Sequence, residues 1–531
     1  GAGSTSAAVR SSGWWPGCWP PGPAPSWRPW SPFATAPPFV LDLDPAASTY
    51  LVRATVEEGQ LDALADRPDV VGVFSDPAIE PCTPVCPGGA ARGNTADVAA
   101  ALCVPDLAAV GADGSGVLLA IVDTGISLPH LQGRGLNPAI DAARSWVPQA
   151  GLTPFQFAAD HGTMCAYDAL IAAPQATLLD IAVLASNAQG PTIMSGVLSD
   201  AVRAFRHLID VMNAPRRPGD TRSLVVSNSW GMFHASWDFP VGHAGNYSHN
   251  PNHPFNRITA QLEAAGADIL FAAGNCGADC PDGRCQGVVN AGIVGANSSP
   301  SVLAVAGVDV HRERAGYSTQ GPGTLAWQKP DISGYTHFSG SGVYAADGGT
   351  SAACPVVAGV VAAVRTRRPY QAGLGTRTPA AIRSLLTSTA DDLGVSGYDF
   401  DHGFGVVDGC GLASKLKPRI RIPKVDICDR IPWLCKHRIC DLVPRLCRPE
   451  LDICRRYPWI CEGLVEIDKW RIPDPGPLKV LDELLDVLEK LRPQDLERPV
   501  LPGRKPTEAA AGGDDEPSVA GTSGCGCGGH A

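Results

Sequence analysis

The chain has 531 residues, of which 44% are hydrophobic and 18% are charged, so it can hold two or three domains and at least one large core. A formal net charge of -11, without basic clusters beside aromatic residues, excludes nucleic acid as the main partner and disfavours anionic membranes. No apolar run reaches the roughly 18 to 20 residues that a bilayer span requires. The eighteen cysteines favour an oxidising compartment, so we expect a secreted or extracellular protein, although no export signal is readable in the chain.

The first part of the chain divides into three segments. Residues 1–38 are rich in Pro, Trp, Ser and Ala, a composition that breaks helix and strand patterns and predicts a disordered arm. Residues 39–80 contain a strand, a short helix and a second strand, which predicts a small β-α-β domain. Residues 81–98 form a Pro/Gly-rich linker that holds Cys82 and Cys86.

Residues 99–415 alternate short apolar runs with helix-length segments. Runs that are apolar throughout suit strands buried on both faces, and the helical segments between them suit parallel crossovers. We therefore predict an α/β domain with a doubly wound, mostly parallel sheet and helices on both faces, whose reactive groups collect at the carboxyl ends of the strands. The predicted strands lie at 117–122, 177–184, 223–228, 268–273 and 302–308.

The C-terminal extension consists of three further segments. Residues 416–476 contain the related units ICDRIPWLC, ICDLVPRLC and ICRRYPWIC, whose six cysteines indicate small disulfide-stapled loops of undefined connectivity. Residues 477–495 place apolar side chains on one face of a predicted amphipathic helix, which suits docking or dimerisation. Residues 496–531 form a predicted disordered, Gly-rich tail with Cys525 and Cys527.

Three residues of the α/β domain suit nucleophilic catalysis. Asp123 follows the run VLLAIV, His161 begins a helix-like segment, and Ser351 lies in GGTSAACP, where small residues leave its hydroxyl accessible. A serine nucleophile needs a base within reach and an acid that orients this base. If Thr350 caps a helix and Pro355 lies in its first turn, Ser351 sits at a helix N-terminus, which favours a developing negative oxygen. Each residue alone has an ordinary structural explanation, and only the three together indicate nucleophilic catalysis.

Asn275, in FAAGNCG just after a buried strand, completes the set. Its amide would donate to an oxyanion beside a backbone N–H group. Cys276, Cys280 and Cys285 follow in the same loop, where a disulfide would stiffen the pocket wall; their spacing does not indicate zinc. The four histidines between 234 and 253 are candidates for a metal site, but their Asn, Pro and Gly neighbours favour a solvated surface loop near the cleft.

With Asp123, His161, Asn275 and Ser351 in this order, residues 99–415 resemble the subtilisin-like serine peptidases. The resemblance rests on the motifs VDTGI, HGT, SNSWG, AAGN and GTSAACP. It implies that the serine attacks a peptide carbonyl, the histidine takes and returns the proton, the aspartate orients the histidine, and the asparagine holds the oxyanion. This chemistry requires no cofactor. Structural calcium is common in the family, but no ligand cluster for it is identifiable in this sequence.

The same resemblance implies a substrate-binding edge. An extended substrate would lie along Ser229, Trp230 and Gly231, with Gly274 beside it.

Four positions beside the candidate triad are also notable. Met164 and Ala352 depart from residues usual in the family, but neither is a catalytic position. Cys165 and Cys354 are expected to be buried free thiols, with a bridge between them as the alternative.

Residues 39–80 resemble the prosegment of these peptidases, which assists folding and blocks the cleft until it is cut. Cleavage is then expected within 81–98. A disulfide from Cys82 or Cys86 to Cys103 or beyond would keep the cut prosegment attached, and a bond between Cys82 and Cys86 is the alternative.

The leading hypothesis is a serine endopeptidase made as a zymogen, with protein or peptide substrates and its own prosegment as intramolecular inhibitor. The alternative is a catalytically silent protein of the same fold whose Cys-rich C-terminal segment mediates binding. A non-peptidase serine hydrolase would leave SNSWG without a role.

Overall fold

The computed structural model describes residues 4–10, 40–44, 49–82, 89–185, 195–215, 221, 223–289 and 291–417. Most of the predicted arm lies outside these residues, as do the amphipathic helix, the Gly-rich tail and the Cys-rich segment beyond residue 417. Within the described ranges, no helix is both long enough and apolar enough to cross a membrane.

The N-terminal part forms a four-stranded antiparallel sheet with one short helix. The strand order is β2-β3-β1-β4, and α1 packs against β4. The elements are β1 (Ser4–Arg10), β2 (Val40–Asp44), β3 (Thr49–Thr55), α1 (Leu61–Ala65) and β4 (Val70–Ser75).

Strand β1 shows that the expectation of a disordered arm over residues 1–38 is wrong for residues 4–10; the other residues of that arm lie outside the described ranges. It lies between β3 and β4 and pairs with both, so its backbone groups find partners on each side. Its sequence, STSAAVR, has small residues and little alternation. Pairing with distant strands therefore decides its conformation, and a local pattern does not reveal it.

The remaining elements follow in chain order. They are β5 (Ala78–Pro81), α2 (Thr95–Ala101), α3 (Val104–Ala109), β6 (Val117–Val122), α4 (Leu128–Gly133), β7 (Ala139–Ile140), α5 (His161–Ala169), β8 (Thr177–Ile181), β9 (Gly196–Val197), α6 (Leu198–Asn213), β10 (Ser223–Asn228), β11 (Trp230–Gly231), α7 (Pro254–Ala264), β12 (Asp268–Ala272), β13 (Leu303–Val308), β14 (Ile332–Tyr335), α8 (Thr350–Arg367), α9 (Pro379–Thr389) and α10 (Gly409–Leu416).

Seven parallel strands form the central sheet, in the order β14-β13-β12-β10-β6-β8-β7. Successive residues of β6 enter two different cores: Leu119 and Ile121 join one that contains α5 and α8, whereas Leu118 and Ala120 join one that contains α6 and α7. The doubly wound α/β fold predicted from the apolar runs is thus confirmed, with helices on both faces. Strands β7 and β14 were not among the predicted strands.

The disulfides expected for Cys82 in the linker, to Cys103 or to Cys86, are not formed. Cys103 is bonded to Cys410, which joins the start of α3 to α10. Cys82 is a buried free thiol, so it bridges neither Cys103 nor Cys86. Cys86 itself lies outside the described residues.

Candidate active site

Asp123 and His161 form a fully buried pair beyond the carboxyl end of β6. Nδ1 of His161 lies 2.8 Å from Oδ1 and 3.0 Å from Oδ2 of Asp123. Asp160 is the N-cap of α5 and accepts a bond from the backbone N of His161, which makes His161 the first helical residue. Gly162 allows the close approach, because a Cβ there would lie 2.6 Å from the carbonyl oxygen of Gly125.

Ser351 is the second residue of α8 and is buried. The helix begins at Thr350 with Gly349 as its N-cap, so the expected capping role of Thr350 is wrong. Pro355 lies in the second turn rather than the first. Because proline has no N–H group, it cannot bond the carbonyl oxygen of Ser351, which is four residues earlier.

Ser229 satisfies the carbonyl that Pro355 leaves without a helical partner. Its Oγ donates to the carbonyl oxygen of Ser351 over 3.0 Å. In return, Oγ of Ser351 donates to the carbonyl oxygen of Ser229, also over 3.0 Å. Nε2 of His161 is buried and has no hydrogen-bond partner among the described residues. The hydroxyl is therefore turned toward Ser229 rather than toward the imidazole.

The Cys165 thiol joins the candidate base to the candidate nucleophile. Its Sγ lies 3.6 Å from the carbonyl oxygen of Ser351, 3.7 Å from Oδ2 of Asp123 and 3.8 Å from Nδ1 of His161. Cys165 and Cys354 are both free and buried, which confirms the expectation and excludes a bridge between them. Burial raises the pKa of Cys354 to about 12 and that of Cys165 well above its ordinary value. Both thiols are therefore protonated at neutral pH, so neither supplies a thiolate nucleophile.

The Asn275 amide is oriented by the first residue of α8. Its Oδ1 accepts bonds from the backbone N and from Oγ1 of Thr350, each at 3.0 Å. These two donors turn Nδ2 the other way, where it donates to the carbonyl oxygen of Cys82 at 2.5 Å. The candidate oxyanion donor thus already holds a peptide carbonyl.

The chain's own strand β5 lies between β9 and β11, in the groove that we call the cleft. It pairs antiparallel with β11 on one side and with β9 on the other. Glu80 is opposite Gly231 and Pro81 is opposite Trp230, while the backbone N of Cys82 donates to the carbonyl oxygen of Ser229 at 2.9 Å.

The four predicted substrate-binding residues differ in how they line the cleft. The backbones of Trp230 and Gly231 pair with β5, and the backbone of Ser229 bonds Cys82, the residue just after β5. The Trp230 side chain is fully buried in the core and donates through Nε1 to the carbonyl oxygen of Val122 at 3.0 Å. Gly274 lines the cavity beside Cys82, and its φ of +105° explains why glycine is needed there.

A cavity of about 170 Å³ adjoins Cys82. Apolar groups make up most of its wall, and Gly274 and Asn275 form part of its rim. Its apolar lining residues include Met232, Phe233, Val288 and Val294.

Asp180, in β8, is a buried acid that the sequence analysis missed. One of its oxygens accepts bonds from the backbone N of Phe155 at 2.6 Å and of Ile126 at 3.2 Å. Burial raises the pKa of this carboxyl to about 7. A charged residue inside the apolar run TLLDIAVL was the available signal.

Two groups of described residues have metal-ligand geometry: Asp123, His161 and Cys165, and the set of Cys103, Asp106 and Cys410. The first already forms the acid–base pair. In the second, both cysteines are used in the disulfide. Neither arrangement resembles the all-oxygen set that calcium prefers.

Sequence comparisons identify a family and relatives for this chain among known proteins. The family model described as the Subtilase family matches residues 114–405. Subtilisin E of Bacillus subtilis (strain 168) is 27% identical over 369 residues, which cover 67% of this chain and 78% of that protein. Subtilisin of Bacillus pumilus is 27% identical over 318 residues, 57% of this chain and 93% of that protein. Serine protease AprX of Bacillus subtilis (strain 168) is 28% identical over 319 residues, 52% of this chain and 62% of that protein.

Proposed function

Because the chain belongs to the subtilase family, we propose that it is a serine endopeptidase made as a zymogen, with Asp123, His161 and Ser351 as its catalytic triad. One observation carries the proposal: the carbonyl of Cys82 is held by the Asn275 amide at the end of a strand that fills the cleft. We expect Ser351, at the start of α8, to attack the peptide carbonyl that Asn275 holds.

The proposed reaction begins when Oγ of Ser351 leaves the carbonyl oxygen of Ser229 and attacks the peptide carbonyl carbon. Nε2 of His161 takes the hydroxyl proton, and Asp123 stabilises the resulting imidazolium through Nδ1. Asn275 donates to the oxyanion of the tetrahedral intermediate. His161 then protonates the leaving amine, which yields an acyl-enzyme that a water molecule hydrolyses by the same steps. No step requires a cofactor.

The first substrate in this proposal is the chain itself, at the bond between Cys82 and Thr83. This bond lies within the expected processing region of 81–98. The antiparallel pairing of β5 with β9 and β11 supports an inhibitory role for the N-terminal sheet until it is released. Two disulfides among the described residues, Cys103–Cys410 and Cys276–Cys285, support secretion.

The silent-scaffold alternative requires a damaged catalytic set. All four candidate residues are present, and one of them, Asn275, donates to a bound peptide carbonyl, so we favour the enzyme. Its substrates are proteins or peptides that pair with β11 as β5 does.

Labelling with a fluorophosphonate, followed by intact-mass analysis, tests the proposal. We expect the purified protein to lose residues 1–82 and to be labelled on Ser351. The Ser351→Ala variant should remain uncut and unlabelled. Ser333→Ala is the matched control, because Ser333 is equally buried but bonds the carbonyl oxygen of His402 away from the cleft. Equal labelling of Ser351→Ala and Ser333→Ala would contradict the proposal.

A further inference from the structure

Glu80 is the third residue before the proposed scissile bond, and its side chain has a partner on the cleft wall. While its backbone pairs with Gly231, its Oε2 accepts a bond from Nη1 of Arg284 at 2.9 Å. Both side chains are about one-quarter exposed, at 25% for Glu80 and 23% for Arg284. The pair therefore forms at the cleft rim, where a substrate side chain would also reach it.

Arg284 is held in place from two other directions. Its Nε and Nη2 donate to the two carboxylate oxygens of Asp282, at 3.0 Å and 2.7 Å, and the Asp282 side chain is fully buried. The guanidinium also lies over the Phe233 ring, 3.7 Å from its centroid. This two-point bond and the aromatic contact use one edge and one face of the guanidinium. Nη1 is the group that faces Glu80.

The loop that carries Arg284 is closed at both of its ends. The disulfide Cys276–Cys285 spans it, and the backbone N of Asp282 donates to the carbonyl oxygen of Asn275 at 2.8 Å. Asp282, which orients Arg284, is thus itself anchored to Asn275, the residue proposed to hold the oxyanion. A preformed group loses little conformational entropy when a ligand binds.

We propose that Arg284 is a specificity-determining residue that selects an acidic side chain at the third position before the scissile bond. The inference rests on the proposed function, since it concerns substrates of the same cleft. Glu80 indicates which side chain this position prefers, because the chain's own glutamate bonds Arg284 there. A neutral side chain at that position would lose the charge-assisted part of the bond, and a basic one would face the guanidinium with like charge.

The test uses the processed enzyme and three internally quenched peptides that differ only at this position, with Glu, Gln or Lys in the frame Ile-Xaa-Pro-Cys. We expect the Glu peptide to have a kcat/KM about fivefold higher than the Gln peptide, given the partial exposure of the pair. The Lys peptide should be poorer still. Arg284→Gln should bring the Glu and Gln peptides to equal kcat/KM.

Arg383→Gln is the matched control. Arg383 donates to Glu263 at 2.7 Å, and its side chain is 19% exposed, but the pair joins α9 to α7 away from the cleft. This variant should keep the wild-type preference for Glu. The three-peptide comparison on the wild-type enzyme needs no variant, so it stands if Arg284→Gln does not fold.

The outcomes separate the two proposals. Enzyme that is labelled on Ser351 yet cleaves the Glu and Gln peptides equally would overturn the role of Arg284 alone. Loss of the Glu preference in Arg383→Gln would also overturn it, because the preference would then reflect general stability. Protein that is neither labelled nor active on any peptide would overturn the proposed function, and this inference with it.

Discussion

Ser229 bonds both the hydroxyl and the carbonyl oxygen of Ser351. The carbonyl is available to Ser229 because Pro355 supplies no N–H group at the next helical turn. Cys165 approaches the same oxygen from α5. A proline inside a helix normally destabilises it, but here the freed carbonyl anchors the residue in the cleft. The turn of α8 that contains the candidate nucleophile is thereby fixed to the predicted substrate-binding edge.

Replacing Asn275 with alanine tests the oxyanion role at the scale of one residue. Asn275→Ala removes the donor that now bonds the Cys82 carbonyl. We expect kcat to fall by about 10²- to 10³-fold with little change in KM, because the bond strengthens as charge develops on the oxygen. Steady-state kinetics on a peptide substrate measures both quantities.

Thr350→Val provides the comparison for this effect. It removes one of the two bonds that orient the Asn275 amide and leaves the other, from the backbone N of residue 350. Its kcat should therefore fall less than that of Asn275→Ala. An unchanged kcat in Asn275→Ala would show that the amide does not act on the transition state.

Strand β5 and the sheet before it dock on the α/β domain through specific polar contacts. Asp76 accepts bonds from the backbone N and Oγ of Ser199, both at 2.7 Å, at the start of α6. Arg53 pairs with Asp200 at 3.1 Å on the same helix end. His253, at the N-cap of α7, bonds the carbonyl oxygen of Ser75 at 3.0 Å. These contacts set the direction in which β5 enters the cleft.

His253, one of the four histidines expected in a solvated surface loop, is instead buried, and it makes this docking sensitive to pH. Burial lowers its pKa from 6.5 to about 4, so the ring is neutral and Nε2 donates to the Ser75 carbonyl. The unfolded state, with the ordinary pKa, binds a proton at a higher pH than the folded state does. Stability is therefore fully present above about pH 6.5 and is lost as the pH falls toward 4, by up to about 3 kcal/mol.

Urea unfolding of the uncut Ser351→Ala precursor, followed from pH 7 to pH 4.5, measures this loss. Other groups also titrate in this range, so the informative quantity is the difference between the precursor and the same protein with His253→Gln. The glutamine variant should lose less stability over the interval. Parallel pH curves for the two proteins would assign the acid sensitivity to other groups.

Sequence patterns located some of these elements and missed others for physical reasons. The apolar run at 117–122 predicted β6 correctly, because a strand buried on both faces needs apolar side chains throughout. Strand β1 and the two-residue strand β7 escaped, since each owes its conformation to a distant partner. Cys82 was interpreted as a disulfide candidate, whereas the fold buries its thiol beside the cavity and presents its carbonyl to Asn275.

At the scale of the whole molecule, the Cys103–Cys410 disulfide joins two ends of the α/β domain, 307 residues apart. Replacing both cysteines with serine should lower the free energy of unfolding by about 2 to 5 kcal/mol, because the unfolded chain regains the freedom that a long closed loop denies it. Urea unfolding of the Ser351→Ala protein under non-reducing conditions gives this value.

The Cys276–Cys285 pair is the internal comparison, since it closes a loop with a separation of only nine residues. Its replacement by serine should cost less stability than the loss of Cys103–Cys410. The reverse order would mean that native contacts of the shorter loop, rather than chain entropy, dominate.

The sequence by itself determined the α/β class and the identity of the candidate catalytic residues, because apolar periodicity and small-residue motifs are local properties of the chain. Tertiary structure alone decided which peptide bond faces Asn275, that Glu80 meets Arg284, and that β1 is a strand. Each of these depends on groups 200 or so residues apart, or on pairing between distant strands, and their proximity follows from how the sheets dock rather than from any spacing along the chain.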